Sequence, residues 1–230
     1  MILNKPVLCI LPILAIVPIA SNVFYDIHPG GINLLYNFFS SALNPSFESD
    51  VLYAVFNGLQ DTISIALIGW SVSLFFGISL ALITSDIFYI LFKVPYSIKK
   101  FLKILLSIPR GIHELVWGLL LLQILGLTSW VAILALAIPY SCLNARIFSD
   151  QINALDKTSL DSLIQIGSSP IQVIITGLWP KIFPVLVSYG GYRLECAIRG
   201  ATLLGVFGLG GIGTELQLST QSLQFREVWT

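Results

Sequence analysis

Five stretches of this chain, at about 8–25, 59–84, 111–127, 129–148 and 182–207, are almost wholly apolar. Each approaches or exceeds the roughly 20 residues that a helix needs to cross about 30 Å of hydrocarbon. Inside lipid every backbone polar group must find its partner within the segment, so five such stretches leave one class of fold. The expected fold is all-α, a polytopic membrane helical bundle of about five spans. Composition agrees: 10% of the 230 residues are charged and 56% are hydrophobic, where a soluble domain carries roughly 25% charged residues.

Net charge is zero, which gives no basic surface for nucleic acid and makes the placement of charge the informative quantity. With a cytoplasmic N-terminus, Lys5, Lys93, Lys99, Lys100, Lys103, Arg110, Arg146, Lys157 and Lys181 all lie on the cytoplasmic side, and the exterior holds only Arg226. The positive-inside bias is met in that orientation and violated in the other. Residues 1–25 read as an N-terminal membrane anchor, and the same run also fits a cleaved signal peptide. Residues 26–58 read as an external loop whose segment 34–43 lies along the interface, and residues 59–230 as the transmembrane domain. Residues 96–110, bounded by Pro95 and ending at Pro109, read as an inner-leaflet helix whose lysine stems snorkel to the headgroups.

The polar stretch from 149 to 181 carries the clearest local signals. Thr158 followed by Asp161 has capping-box spacing, and Leu160, Leu163 and Ile164 form an apolar face. Gly167 suits a C′ position, and Ser169 with Pro170 suits an N-cap and first helical position. The pattern predicts helix, glycine turn, helix over about 158–179, with the chain turning into the last span at Trp179 and Pro180. An ordinary loop that caps well is the alternative.

Charges inside spans are expensive and mark function or pairing. Glu195 and Arg199 stand at i and i+4 and read as an intrahelical ion pair, mainly structural. Arg193 has no such local partner. It reads either as an oxyanion contact that pairs with Glu114 at rest, or as a permanent bridge to Glu114. Gly208, Gly210 and Gly213 spell the dinucleotide-binding G-x-G-x-x-G, yet a membrane helix precedes them where a strand is needed, and the chain ends 17 residues later. With Gly211 they read as a tight glycine turn. His28 and His113 are far apart, Cys9, Cys142 and Cys196 show no metal spacing, and no catalytic constellation appears. No enzyme activity, cofactor or metal is expected.

The segment "SLDSLIQIGSSPIQVIITGLWPKIFP" resembles the cytoplasmic coupling motif of ABC-importer permeases, E-A-A-x3-G-x9-I-x-L-P. Asp161, Gly167 and Pro180 stand at the acidic, glycine and proline positions, while Ser162, Leu163, Gly177 and Trp179 depart from the pattern. The stretches "RGIHELVW", "GLWPKIFP" and "YRLECAIRGATLLGVFGLGGIG" look like phosphonate-importer permeases in particular, with His113 where that family usually has proline. The resemblance implies a type I importer permease of the bacterial inner membrane that forms the translocation path for phosphonate or a related phosphorus oxyanion. It implies a homodimer, a separate cytoplasmic ATPase subunit gripping the 158–179 helices, and an external substrate-binding protein. Such permeases continue after "REVWT" into a final span, so the chain reads as lacking that span, which admits an inactive truncated permease as a further reading. The competing class is a secondary transporter or channel with Glu114, Arg193 and Glu195 as an ion relay.

Overall fold

The computed structural model describes residues 29–156 and 158–230. The expected anchor at 1–25 lies outside the described residues. The described chain is helical: α1 Pro29–Ser41, α2 Ser49–Thr84, α3 Asp86–Phe92, α4 Tyr96–Arg110, α5 Glu114–Leu125, α6 Ser129–Ala154, α7 Thr158–Gln165, α8 Pro170–Leu209, α9 Ile212–Gln221 and α10 Phe225–Val228.

Among the described residues α2, α6 and α8 are long and apolar enough to cross a membrane, and α4 with α5 forms a fourth, broken unit bent by 84°. The expected span at 111–127 is therefore only part of a span. Its helix has 12 residues, about 18 Å of rise, well short of ~30 Å. The bend forms although His113 replaces the family's proline. The His113 imidazole accepts the Leu115 N–H at 3.3 Å, and the Trp117 indole donates to the Pro109 carbonyl at 3.1 Å.

The centre of the bundle is the α2–α6 seam. Along α2, Thr62, Ala66, Gly69, Ser73, Gly77 and Ala81 are buried at spacings of three and four residues, so one stripe of the helix carries only small side chains. A Cβ on Gly77 would fall 2.5 Å from the Asn144 Cβ. Close approach of this kind is how membrane helices associate when lipid removes the hydrophobic drive between them. Asn144 adds a polar contact, donating to Ser73 at 3.4 Å.

Several expectations need correction. Helix α2 begins at Ser49, so it crosses the anticipated boundary at 58/59; "VLYAVF" is apolar enough to extend the span, and Asp50 suits its first turn. Lys99 does not snorkel. It is 3% exposed, ion-paired with Asp86 and set over the Tyr96 ring at 4.9 Å, which fixes α4 to α3.

The helix–turn–helix at 158–179 forms, with two differences. Gly167 has φ of 83°, the Ser168 N–H reaches the Leu163 carbonyl and the Gly167 N–H the Ile164 carbonyl, which together make a Schellman C-cap. Ser169 and Gln172 form a reciprocal capping box. At the start of α7, however, Asp156 is the capping side chain, accepting from the Thr158 N–H at 3.1 Å and hydroxyl at 2.6 Å, where Thr158 and Asp161 were expected. Nor does the chain turn at Trp179 and Pro180. Helix α8 runs straight through, widening to a π-helix over Val173–Leu178. Pro180 cannot donate to the Thr176 carbonyl and its ring crowds that group, so a wide turn just before it accommodates the ring without breaking the helix.

Candidate functional site

Helices α5, α6 and α8 converge on a cavity of about 450 Å³ whose lining includes Arg110, His113, Glu114, Tyr140, Arg193 and Arg199. Tyr140 lies 11 residues along the 26-residue α6 from Ser129, about 16 Å of helix, so the cavity opens about halfway along that span. Three arginines and one carboxylate line it.

Glu114 opens α5, where the helix dipole favours a carboxylate. It does not touch Arg193, since no Arg193–Glu114 ion pair exists among the described residues, and the pairing expected at rest is absent here. The Tyr140 hydroxyl instead lies 3.4 Å from both the Glu114 carboxylate and the Cys196 carbonyl, so its one proton is shared between the two. His113 Nδ1 lies 3.5 Å from Glu114, but that nitrogen already accepts the Leu115 N–H and so brings no proton to the carboxylate. Gly200 gives this group room: a Cβ there would meet Leu136 at 2.7 Å, the Tyr140 oxygen at 3.5 Å and Glu114 at 3.6 Å.

Arg193 is 9% exposed. Its guanidinium lies 4.6 Å from the Tyr140 ring centre and 5.6 Å from that of Tyr189, and its Nε donates to the Tyr189 hydroxyl at 3.1 Å. The charge is thus held between two aromatic faces, and the terminal nitrogens have no hydrogen-bond partner among the described residues. Planar, paired N–H donors of this kind suit a tetrahedral oxyanion.

The Glu195–Arg199 pair forms as expected. Its side chains are nevertheless 62% and 69% exposed, and Arg199 also lines the cavity, which a purely structural reading did not anticipate. Arg110, Tyr140 and Tyr189 were missed as well. Tyr189 was findable from its i,i+4 spacing to Arg193; Arg110 and Tyr140 sit on other helices and leave no local signal.

At the far end of α8, Gly208, Gly210 and Gly211 all have positive φ, at 81°, 97° and 87°. Gly213 serves contact, since a Cβ there would lie 2.0 Å from the Thr202 carbonyl oxygen. The Ile212 N–H donates to the Thr62 hydroxyl at 2.9 Å, pinning the turn to α2. At the opposite end, Asp161 and Gly167 belong to α7 and its cap. Ser162, Leu163, Ile166, Gly177, Pro180 and Lys181 line a separate groove of about 430 Å³ there.

A bundle of apolar helices around a mid-depth, arginine-lined cavity, with a capped helix pair protruding at one end, defines a membrane transport component. The chain belongs to the family of binding-protein-dependent transport system inner membrane components, whose model matches residues 73–229. It is 29% identical over 126 residues to the phosphite transport system permease protein PtxC of Stutzerimonas stutzeri, covering 55% of this chain and 46% of that one. It is 31% identical over 94 residues to the cryptic phosphonate transport system permease protein PhnE2 of Escherichia coli, covering 41% and 77%. In structure it is similar to the MetNI methionine ABC transporter in its inward facing conformations, with a TM-score of 0.70, 13% identity, and coverage of 79% of this chain and 91% of that chain. That likeness establishes the fold. The aligned region spans just under half the length of the phosphite relative.

Proposed function

We propose that this chain is the membrane-spanning permease subunit of an ATP-driven importer, and that its mid-depth cavity is part of the translocation path for phosphonate, phosphite or a related phosphorus oxyanion. The observation that carries the reading is Arg193, a buried guanidinium without a carboxylate partner in a cavity lined by three arginines. Its relatives' names supply the substrate class.

The N-terminus lies in the cytoplasm on this reading, by the distribution of Lys and Arg. A cytoplasmic ATPase subunit docks on α7 and the glycine turn, where Ile166 and Ile171 are 81% and 64% exposed beside Asp161 and Gly167. An external substrate-binding protein delivers substrate at the opposite end, near the glycine turn of Gly208 to Gly213. The permease works as a homodimer, because the exposed Glu195–Arg199 pair in the middle of a span is poorly suited to lipid and well suited to a polar path shared with a second copy. Helix α7 leans on α8 at Gly177, where a Cβ would meet Leu160 at 2.7 Å and Leu163 at 2.8 Å. A push on α7 by the ATPase therefore acts on the same helix that carries Arg193.

Arg193→Lys tests the reading. A lysine keeps the charge and loses the planar fork, so expression and ATPase assembly stay normal while uptake collapses. Normal uptake by Arg193→Lys, together with activity in the double variant Glu114→Gln/Arg193→Gln, would place the path elsewhere.

A further inference from the structure

The cavity poses a physical problem. A guanidinium and a carboxylate both facing one low-dielectric site attract each other strongly, and if Glu114 closed on Arg193 the fork would be occupied and unavailable to substrate. The geometry points to Tyr140 as the residue that prevents this. We infer that Tyr140 is a positioning residue which holds Glu114 off Arg193 and so keeps the guanidinium open to an incoming oxyanion; this rests on the function proposed above.

Tyr140 does this with two different parts of one side chain. Its ring face lies against the guanidinium at 4.6 Å and offsets part of the cost of a buried cation without engaging its N–H groups. Its hydroxyl, at the ring's far edge, lies 3.4 Å from Glu114, a contact it shares with the Cys196 carbonyl, and gives the carboxylate a donor other than Arg193. The ring is thereby a spacer between opposite charges, and it is rigid because Tyr140 is only 6% exposed. Tyr189 completes the clamp from the i−4 position of α8, its hydroxyl oxygen accepting a hydrogen bond from the Nε–H and leaving the terminal nitrogens for the cavity. Gly200 lets the Tyr140 hydroxyl and Glu114 meet beside α8. An arriving oxyanion then competes with no resident anion on Arg193, and the neighbouring Arg110 adds to the favourable field.

Tyr140→Phe separates the two parts, since it keeps the ring and removes the hydroxyl. In the assembled transporter, reconstituted with its ATPase and binding protein and supplied with labelled phosphite and methylphosphonate, the variant should assemble normally. Its KM should rise roughly tenfold to a hundredfold, the range that loss of one hydrogen bond to a charged group produces, with a smaller change in kcat. Adding Glu114→Gln should restore the KM, because the uncharged amide no longer captures Arg193. An unchanged KM in Tyr140→Phe, or a loss that Glu114→Gln leaves in place, overturns the inference. A cryo-EM structure of Tyr140→Phe decides independently of cargo: Glu114 should be ion-paired with Arg193, and a carboxylate still apart from it refutes the role assigned to Tyr140. If the wild-type transporter carries neither compound, the proposed function falls while this structural arm still judges the inference.

Discussion

Replacing Gly213 with alanine should damage the protein more than replacing Gly210, although sequence alone would rank them the other way or equal. Gly210 sits at φ 97° with open space around it, the nearest atom to an added Cβ being the Ser129 hydroxyl at 3.9 Å. Gly210→Ala therefore costs only the backbone strain of an L-residue at φ 97° and ψ 169°, a region that glycine alone adopts readily, about 1–3 kcal/mol. Gly213 has no such conformational demand, but its Cβ would lie 2.0 Å from the Thr202 oxygen and 2.7 Å from the Val206 nitrogen. These are backbone atoms of α8 and cannot rotate away, so relief requires opening the π-helical turn at Gly205–Leu209. Overpacking of this sort costs about 1–3 kcal/mol and sometimes more, and the depth of overlap puts Gly213→Ala at the upper end. Thermal unfolding of the purified protein in detergent, followed by tryptophan fluorescence, should show the larger loss for Gly213→Ala. Equal tolerance of the two substitutions would refute the packing argument and reopen the question of why these glycines are there.

Three further outcomes are expected. Gly167→Val, which places a β-branched residue at φ 83°, should abolish co-purification of the ATPase while membrane insertion is unchanged. Lys99→Met removes the ion pair that ties α4 to α3 and should cost about 3 kcal/mol, the low end for a broken buried pair because the Asp86 side chain keeps 31% exposure, as read in the same unfolding assay. The Thr158 hydroxyl and N–H hold the Asp156 carboxyl below its ordinary range. A depressed pKa means the cap's contribution is complete above the ordinary carboxylate range and fades only as pH falls through the depressed value. ATPase association should then be insensitive to this group across neutral pH, and Asp156→Ala should weaken it throughout that range.

What sequence could deliver follows from how local each determinant is. The apolar runs located α2, α6 and α8 because a span declares itself by length alone. Gly167, Ser169 and Pro170 were placed because caps are decided within a few residues. The broken α4–α5 unit was legible only in part: "HELVW" looks like a span start, yet the bend depends on where Trp117 and His113 find hydrogen-bond partners. The π turn before Pro180 was invisible, since a proline in a helical pattern can end a helix or be absorbed by it, and tertiary packing chooses. The cavity was half legible. Arg193 and Glu114 stood out as charges in apolar runs, but their separation by Tyr140 depends on three helices meeting, and nothing in a linear pattern encodes a side chain interposed from a third one. The exposure of Glu195 and Arg199 was hidden for the same reason.

The most direct test of the account is uptake of labelled phosphite and methylphosphonate into proteoliposomes containing this permease with its ATPase and binding protein. The account predicts uptake that requires ATP and both partners and is indifferent to ionophores that collapse ion gradients. Uptake that proceeds without the ATPase and stops when the ion gradient is dissipated would contradict it, and would make the charges of the cavity an ion relay.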